Sequence, residues 1–199
     1  MGGNGRPVAV LALQGDYEAH ARALAAHGRA AVEARAVADL EDVSGVVLPG
    51  GESTTMLTLM AGTGLEERIA ALVAAGVPVF ATCAGVILLA REVFNPPQRS
   101  LGVLDVAVER NGYGRQVDST VADLHVVSRG ELGAERLEGV FIRAPRIRSY
   151  GAAVEVLARR GADPVLVRQG NLLAATFHPE LSPGSPVNAL FARMVGGRA

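Results

Sequence analysis

The fold is decided by the stretch VPVFATCAGVILLA, residues 77–90. Residues 77–81 form a short apolar run with two valines and a phenylalanine, which is typical of a buried strand. Residues 84–90 are apolar or good helix formers, so the same run predicts a buried helix directly afterwards. Cys83 lies between the two, with small neighbours on both sides. A sharp strand-to-helix turn of this kind presents the nucleophile of G-x-S-x-G enzymes. We therefore predict that Cys83 stands on such an elbow, where the helix dipole favours the thiolate.

Cys83 also has a plainer interpretation. It is the only cysteine in the chain, and a lone cysteine in an apolar segment is most often a small buried hydrophobic residue. A single cysteine also excludes an internal disulfide and a cysteine-rich metal site. The choice between nucleophile and buried side chain therefore depends on the rest of the chain.

Length and composition limit the possible function classes. The 199 residues are enough for one full α/β core; we expect a flexible tail at residues 1–6 and a single domain at residues 7–196. The net charge of −1 and the scattered basic residues form no basic patch that would bind nucleic acid.

No apolar run is long enough for a membrane span and no signal peptide precedes the first predicted strand, so we expect a cytoplasmic protein without membrane contact. All 19 Lys+Arg residues are arginine, so this chain cannot form a lysine Schiff base. We expect neither a cofactor nor a metal.

Alternating elements predict the sheet. Apolar strands at residues 7–13, 45–48 and 77–81 alternate with helices at residues 17–27 and 65–75, which favours an open parallel sheet. Later stretches alternate apolar and polar residues and predict further strands, some of them antiparallel. The expected architecture is an α/β three-layer sandwich with a mostly parallel sheet. Ligand crevices in such sheets lie beyond the carboxyl ends of the strands, and Gln14, the Gly50-Gly51 turn and Cys83 all fall at such ends.

The turn PGGESTT, residues 49–55, allows two interpretations. In the first, it is a simple turn in which Ser53 or Thr54 caps the following helix. In the second, the two glycines let the backbone approach a ligand or direct an amide at an anion. An amide of this turn, near Gly51, could then form an oxyanion hole together with the amide of Ala84.

A His-x-Glu pair follows the last predicted strand. Residues i and i+2 of an extended segment face the same way, so Glu180 could hydrogen-bond one imidazole nitrogen of His178 while the other faces a thiol. Pro179 would keep the backbone extended. Cys83, His178 and Glu180 would then form a nucleophile, a base and a group that orients the base. For His178 considered alone, a structural histidine is the favoured interpretation. The other histidines have no carboxylate so placed: His20, His27 and His125.

The arginine-containing loops remain open on residue evidence alone. The stretch RNGYGRQ, residues 110–116, is either a glycine turn with solvated arginines or a loop that presents a ligand-binding arginine beside the sheet. Arg146 and Arg148 are interpreted as surface charges.

The sequence resembles the glutaminase subunits of pyridoxal 5′-phosphate synthases, in the class I (triad) glutamine amidotransferase superfamily, from about residue 8 to residue 194. The stretches that carry the resemblance are LALQG (11–15), LPGGESTTM (48–56), TCAG (82–85), VERN (108–111), GRQVDS (114–119), FIRAP (141–145) and FHPEL (177–181). The cysteine and His-x-Glu patterns are shared by the whole superfamily, whereas LPGGESTT, GRQVDS and FIRAP point to the subfamily. Two departures are Ala81, where glycine is common, and Arg146, where histidine is common.

The resemblance implies a flavodoxin-like glutamine amidotransferase fold and a function. Cys83 would attack the side-chain amide of L-glutamine, His178 would protonate the departing ammonia, and Glu180 would orient His178. The resemblance also implies an oxyanion hole and a set of substrate-binding residues. The oxyanion donors would be the amides near Gly51 and Ala84. The glutamine-binding positions would be Gly51, Glu52, Ser53, Arg110, Ile142 and Arg143.

The resemblance further implies a partner, a (β/α)8-barrel synthase subunit that receives the ammonia. The absence of lysine here agrees with that division of labour. Two alternatives stay open: an amidotransferase subunit that feeds a different acceptor, and a catalytically silent regulatory subunit that keeps the fold.

Overall fold

The computed structural model describes residues 5–112, 120–182 and 184–197. Most of the expected N-terminal tail and the whole GRQVDS stretch lie outside the described residues. Residues 113–116 of the 110–116 loop also lie outside the described residues. Arg110 and Asn111 are described.

The predicted α/β sheet is present and has nine strands in the order β2-β1-β3-β4-β12-β11-β10-β7-β8. Its strands are β1 (Val8–Leu11), β2 (Ala31–Ala34), β3 (Gly45–Leu48), β4 (Val79–Thr82), β7 (Thr120–Val126), β8 (Arg136–Phe141), β10 (Glu155–Arg160), β11 (Asp163–Gln169) and β12 (Leu172–Ala175). The pairs from β2 to β12 are parallel, and the pairs from β12 to β8 are antiparallel. The expectation of an α/β sheet that contains both parallel and antiparallel strands is confirmed, but the antiparallel share is larger than predicted, since four of the eight strand pairs are antiparallel.

A second, three-stranded sheet in the order β5-β6-β9 was not predicted as a separate unit. It consists of β5 (Ala90–Phe94), β6 (Leu104–Glu109) and β9 (Arg146–Tyr150). Arg146 and Arg148 therefore lie on a strand, where they pair with Asp163 and Glu109. Both side chains remain partly exposed, which agrees with their interpretation as surface charges, and their ion-pair partners come from strands distant in sequence.

Helices cover both faces of the large sheet, which gives the expected three layers. They are α1 (Tyr17–Ala26), α2 (Ser53–Met60), α3 (Leu65–Ala74), α4 (Ala84–Leu89), α5 (Arg129–Leu132) and α6 (Pro186–Gly196). One hydrophobic cluster joins one face of the central strands to α2, α3 and α4. The other cluster joins the opposite face to α1, α5 and α6. Strands buried on both faces read as continuous apolar runs, and β1, β3, β4 and β12 are buried at every residue.

Element bounds differ from the predictions mainly at the ends. The strand predicted at residues 7–13 is limited to Val8–Leu11, and the elbow strand begins at Val79, after Pro78, which has no N–H to donate. The helix predicted at residues 84–90 ends at Leu89, because Ala90 already pairs with Leu104 in the second sheet. No helix among the described residues has the length and apolar character needed to cross a membrane.

Candidate active site

Cys83 occupies the predicted strand-to-helix elbow between β4 and α4. Its backbone has φ 47° and ψ −104°, a conformation that residues other than glycine seldom adopt. The Cys83 amide donates to Ala175 O at 2.9 Å, which ties the elbow to the neighbouring strand. A Cβ on Gly85 would lie 2.2 Å from Leu48 O, so the helix backbone passes too close to β3 for any side chain there. Glycine at position 85 is therefore required by this close approach.

His178 follows β12, but its surroundings differ from the predicted extended segment. Residues Pro179–Leu181 form a single 3-10 turn that begins after His178. The turn is closed by hydrogen bonds from Leu181 N to His178 O and from Ser182 N to Pro179 O, both 3.2 Å. The prediction of an extended backbone was wrong because proline, with its fixed φ, also suits the first position of a helical turn. The predicted contact exists nevertheless: His178 Nδ1 lies 2.8 Å from Glu180 Oε1.

The second imidazole nitrogen of His178, Nε2, is available to interact with the Cys83 thiol. His178 Nε2 is buried and makes no hydrogen bond to another described residue, while Cys83 and His178 line the same cavity. Burial alone would lower the pKa of His178, but the neighbouring Cys83 and Glu180 favour the imidazolium and raise this pKa to about 10. The site therefore favours a protonated His178 beside the sulfur.

Glu180 is held as a buried carboxylate. Its side chain is 0% exposed, and burial would by itself raise its pKa. His20 and His178, which both contact Oε1, instead lower the pKa of Glu180 to about 2. The carboxylate therefore stays ionised at neutral pH and can fix the orientation of the His178 ring.

His20 is the residue of this site that sequence reasoning missed. It is 2% exposed, and its Nε2 lies 3.0 Å from Thr82 Oγ1 and 3.4 Å from Glu180 Oε1. The available signal was its place on α1, four residues before the buried Leu24 and hence on the same inward helix face. A histidine on an apolar helix face needs a buried polar partner, but the identity of that partner depends on the fold.

The Gly50-Gly51 turn faces Cys83 across the cavity, as predicted. A Cβ on Gly50 would lie 2.3 Å from His178 Cε1 and 3.3 Å from Cys83 Cβ, so only glycine leaves room for both side chains. The turn is held by Gln14, whose Oε1 accepts from the Glu52 amide at 2.6 Å. The two predicted oxyanion donors, Gly51 and Ala84, both line the cavity together with Cys83.

Neither Ser53 nor Thr54 caps α2. The helix begins at Ser53 after Glu52, and no side chain caps its first amides. Instead, the Ser53 hydroxyl donates to Gln98 Oε1 at 3.0 Å, and the Thr54 hydroxyl contacts the same oxygen at 3.2 Å. The capping interpretation was wrong because a residue distant in sequence competes for both hydroxyl groups.

The structure brings all six predicted glutamine-binding residues to one cavity of about 240 Å³. They are Gly51, Glu52, Ser53, Arg110, Ile142 and Arg143. Because drug-sized ligands occupy pockets of about 300–1,000 Å³, this cavity suits a smaller molecule. Its lining includes an ion pair, since Arg143 Nη2 lies 2.8 Å from Glu52 Oε1. Paired opposite charges at one wall are complementary to the ammonium and carboxylate of a free amino acid.

The loop from β8 to β9 contributes the remaining wall. Ile142 O lies 3.8 Å from Cys83 Sγ, and Arg143 has φ 44°, a value that turns the chain sharply beside the nucleophile. Arg110 reaches over from the end of β6 and donates to Thr54 Oγ1 at 3.0 Å. Among the described residues, no group of histidine, cysteine and carboxylate side chains has the arrangement of a metal site.

Comparisons with known proteins identify the family of this chain. The model of the SNO glutamine amidotransferase family matches residues 10–196. A relative from Frankia casuarinae is 50% identical over 194 residues, with 96% of each chain covered. A relative from Kosmotoga olearia is 45% identical over 192 residues, covering 96% of this chain and 98% of its own. Both carry the name pyridoxal 5′-phosphate synthase subunit PdxT.

Solved structures give the same result for the fold. A crystal structure described as a glutamine amidotransferase superposes with a TM-score of 0.87 at 46% identity, covering 95% of this chain and 98% of the other. A chain in the structure of PurLQS from Thermotoga maritima shares the fold at 17% identity and a TM-score of 0.68, with 96% and 98% covered. The family match over nearly the whole chain and the high identity to these relatives lead to one conclusion: this chain belongs to the SNO glutamine amidotransferase family.

Proposed function

We propose that this protein is the glutaminase subunit of a pyridoxal 5′-phosphate synthase, formed by one domain at residues 7–196 and working in the cytoplasm. The observation that carries the proposal is that Cys83 and His178, with Glu180 bonded to His178, lie at a cavity whose lining holds a charged pair suited to an amino acid. Family membership and the names of the relatives support the substrate and the pathway.

Substrate binding uses the opposite charges at the cavity wall. Arg143 receives the α-carboxylate of glutamine, because a guanidinium can bind a carboxylate through two parallel hydrogen bonds. Glu52 faces the α-ammonium group, and Arg110 adds positive charge on the carboxylate side. When glutamine binds, Glu52 and Arg143 must separate or share their charges with its ammonium and carboxylate groups. With these two groups held at the charged wall, the side-chain amide of glutamine extends toward Cys83.

The first chemical step forms a thioester. The Cys83 thiolate attacks the amide carbon, and the carbonyl oxygen becomes an oxyanion facing the amides of Gly51 and Ala84. The imidazolium of His178 gives its proton to the amide nitrogen as the C–N bond breaks, so ammonia leaves. Glu180 stabilises the imidazolium before transfer and holds the ring in place.

The second step restores the enzyme. Neutral His178 takes a proton from water, the resulting hydroxide attacks the thioester carbon, and the C–S bond breaks. Glutamate and the thiolate-imidazolium pair are the products. No cofactor or metal is needed, since every proton and electron pair is supplied by glutamine, water and the three side chains.

The proposed acceptor of the ammonia is a (β/α)8-barrel synthase subunit. Ammonia released into water near neutral pH is mostly ammonium and not nucleophilic, so direct transfer to a docked partner preserves its reactivity. This chain contains no lysine, so any imine that the synthesis requires would form on the partner.

The decisive test is glutamate release from L-glutamine, measured with and without the barrel synthase. A rate that rises sharply with the synthase supports both chemistry and partner. Equal rates would keep the glutaminase and remove the assigned partner in favour of another acceptor. No release in either case would favour the catalytically silent subunit.

A further inference from the structure

His20 links two parts of the site that belong to different elements. Thr82, at the end of β4, immediately precedes Cys83, whereas Glu180 lies in the turn after β12. His20 approaches from α1, and its Nε2 lies within 3.0 Å of Thr82 Oγ1 and 3.4 Å of Glu180 Oε1. One nitrogen therefore contacts both the strand that carries the nucleophile and the carboxylate that orients the base.

The ring of His20 is held in a defined place. Phe80 and Thr82 are two residues apart on β4, so their side chains point to the same face of the sheet. The His20 ring packs edge-on against Phe80, with centroids 5.9 Å apart and planes at 86°. Since Thr82 is 0% exposed and His20 only 2%, water does not compete for their contact.

The Glu180 carboxylate depends on this contact. A buried carboxylate is costly unless it is hydrogen-bonded, and Glu180 Oε2 is buried without a hydrogen-bond partner among the described residues. Oε1 is hydrogen-bonded to His178 Nδ1, and the Nε2 of His20, which is hydrogen-bonded to Thr82 Oγ1, lies 3.4 Å from the same oxygen. Without His20, the carboxylate would lose this second polar neighbour and keep only the hydrogen bond with which it orients the base.

We propose that His20 is a positioning residue of the glutaminase reaction: its Nε2–H holds the Glu180 carboxylate ionised and in place against His178, while Thr82 fixes His20. This inference rests on the proposed function. His20 is not among the residues that line the cavity, and it acts through Glu180.

The size of the effect follows from the interaction that is lost. A hydrogen bond to a charged group is worth enough to change a rate by about 10- to 100-fold. Complete loss of the third member of a triad costs about 10⁴-fold, so a residue that supports this member should cost less. Among the described residues, Glu180 is the charged group placed against His20, and Thr82 and Phe80 on β4 are uncharged near neutral pH.

Two substitutions at His20 separate positioning from packing. His20→Leu fills much of the same space without a donor, whereas the amide N–H of His20→Gln reaches the region of Nε2 without titrating. His27→Leu, at the exposed end of the same helix, is the control. We expect His20→Leu to lower kcat for glutamine hydrolysis about 10- to 100-fold with KM within about twofold. His20→Gln should recover most of this loss.

The pH dependence provides the readout that packing alone would not move. Loss of a donor makes Glu180 easier to protonate, so the acid limb of kcat should move to higher pH in His20→Leu and less in His20→Gln. Iodoacetamide alkylation of Cys83, the single cysteine, should show the same displacement, because the thiolate depends on the His178 imidazolium. Equal losses in both variants with wild-type pH profiles, or kcat of His20→Leu within twofold of wild type, would overturn the proposal.

Two further results keep the test decisive. If thermal unfolding shows that His20→Leu does not fold, Thr82→Val is used in its place. A rate of Cys83 alkylation that depends on acid pH in Thr82→Val as it does in the wild type would count against the proposal. If the wild type releases no glutamate with the barrel synthase, the proposed function fails, whereas the alkylation profiles still decide the role of His20.

Discussion

Gly50→Ala is the substitution that best tests the geometry of the site. Gly50 is not among the residues with positive φ, so alanine meets no backbone strain there. The added Cβ would lie 2.3 Å from His178 Cε1 and 3.1 Å from His178 Nδ1. Carbon atoms in contact are about 3.5–4.0 Å apart, so the ring and the turn must separate by roughly 1.2 Å.

Neither way of separating them leaves the site intact. Movement of the ring breaks the 2.8 Å contact with Glu180 or removes Nε2 from Cys83. Movement of the turn displaces the Gly51 amide from the developing oxyanion. Since a misplacement of about 1 Å can cost about 10²-fold in rate, we expect kcat to fall at least about 100-fold.

The protein should still fold, because overpacking costs about 1–3 kcal/mol against a total stability of about 5–15 kcal/mol. The assay is glutamate release in the presence of the barrel synthase, with thermal unfolding measured in parallel. Gly130→Ala in α5 is the matched control, since its Cβ would meet no atom within 4 Å. A folded Gly50→Ala protein with kcat within threefold of wild type would refute the assignment of this turn to the active site.

Four further predictions concern the charges and the nucleophile. Cys83→Ala should reduce glutamate release to background with an unchanged melting temperature, and residual turnover would contradict the thioester mechanism. Glu180, whose pKa falls from 4.5 to about 2 on folding, should stabilise the protein above pH 4.5 and lose this contribution as pH falls toward 2. His178, whose pKa rises from 6.5 to about 10, should stabilise it below pH 6.5 and lose this contribution as pH rises toward 10. The free energy of unfolding, measured with urea, should therefore fall less steeply below pH 4.5 in Glu180→Gln than in the wild type. An equally steep fall in both proteins would exclude Glu180 as the cause of the acid sensitivity. Arg143→Met should raise KM for glutamine about 10-fold or more with a smaller effect on kcat, because it removes a charged hydrogen bond to bound substrate; an unchanged KM would remove Arg143 from the substrate site.

Local pattern was sufficient to predict the central strands and the elbow. Residues 45–48 form β3 with the predicted bounds, and Cys83 joins a strand to a helix as the small residues around it required. Both predictions depend only on residues close in sequence: the apolar run forms the strand, and the small residues form the tight turn. The second sheet was less accessible, because Ala90 changes from helix to strand only through its pairing with Leu104.

The His-x-Glu pair shows how a correct contact can follow from an incorrect local conformation. The spacing of His178 and Glu180 allows their contact in an extended segment and also in the 3-10 turn that the structure contains. The residue types were enough to predict the contact, while the hydrogen bonds around Pro179 decided the backbone conformation.

By itself, the sequence determined the α/β class, the nucleophile elbow and the residue types of the triad, because each depends on short-range periodicity or on spacing within a few residues. Only the tertiary structure decided that His20 contacts Glu180, that Ser53 binds Gln98 rather than capping its helix, and that Glu52 pairs with Arg143. The partners in these contacts are separated by between 45 and 160 positions in the numbering. Their meeting depends on the order of strands in the sheet, and no local pattern encodes that order.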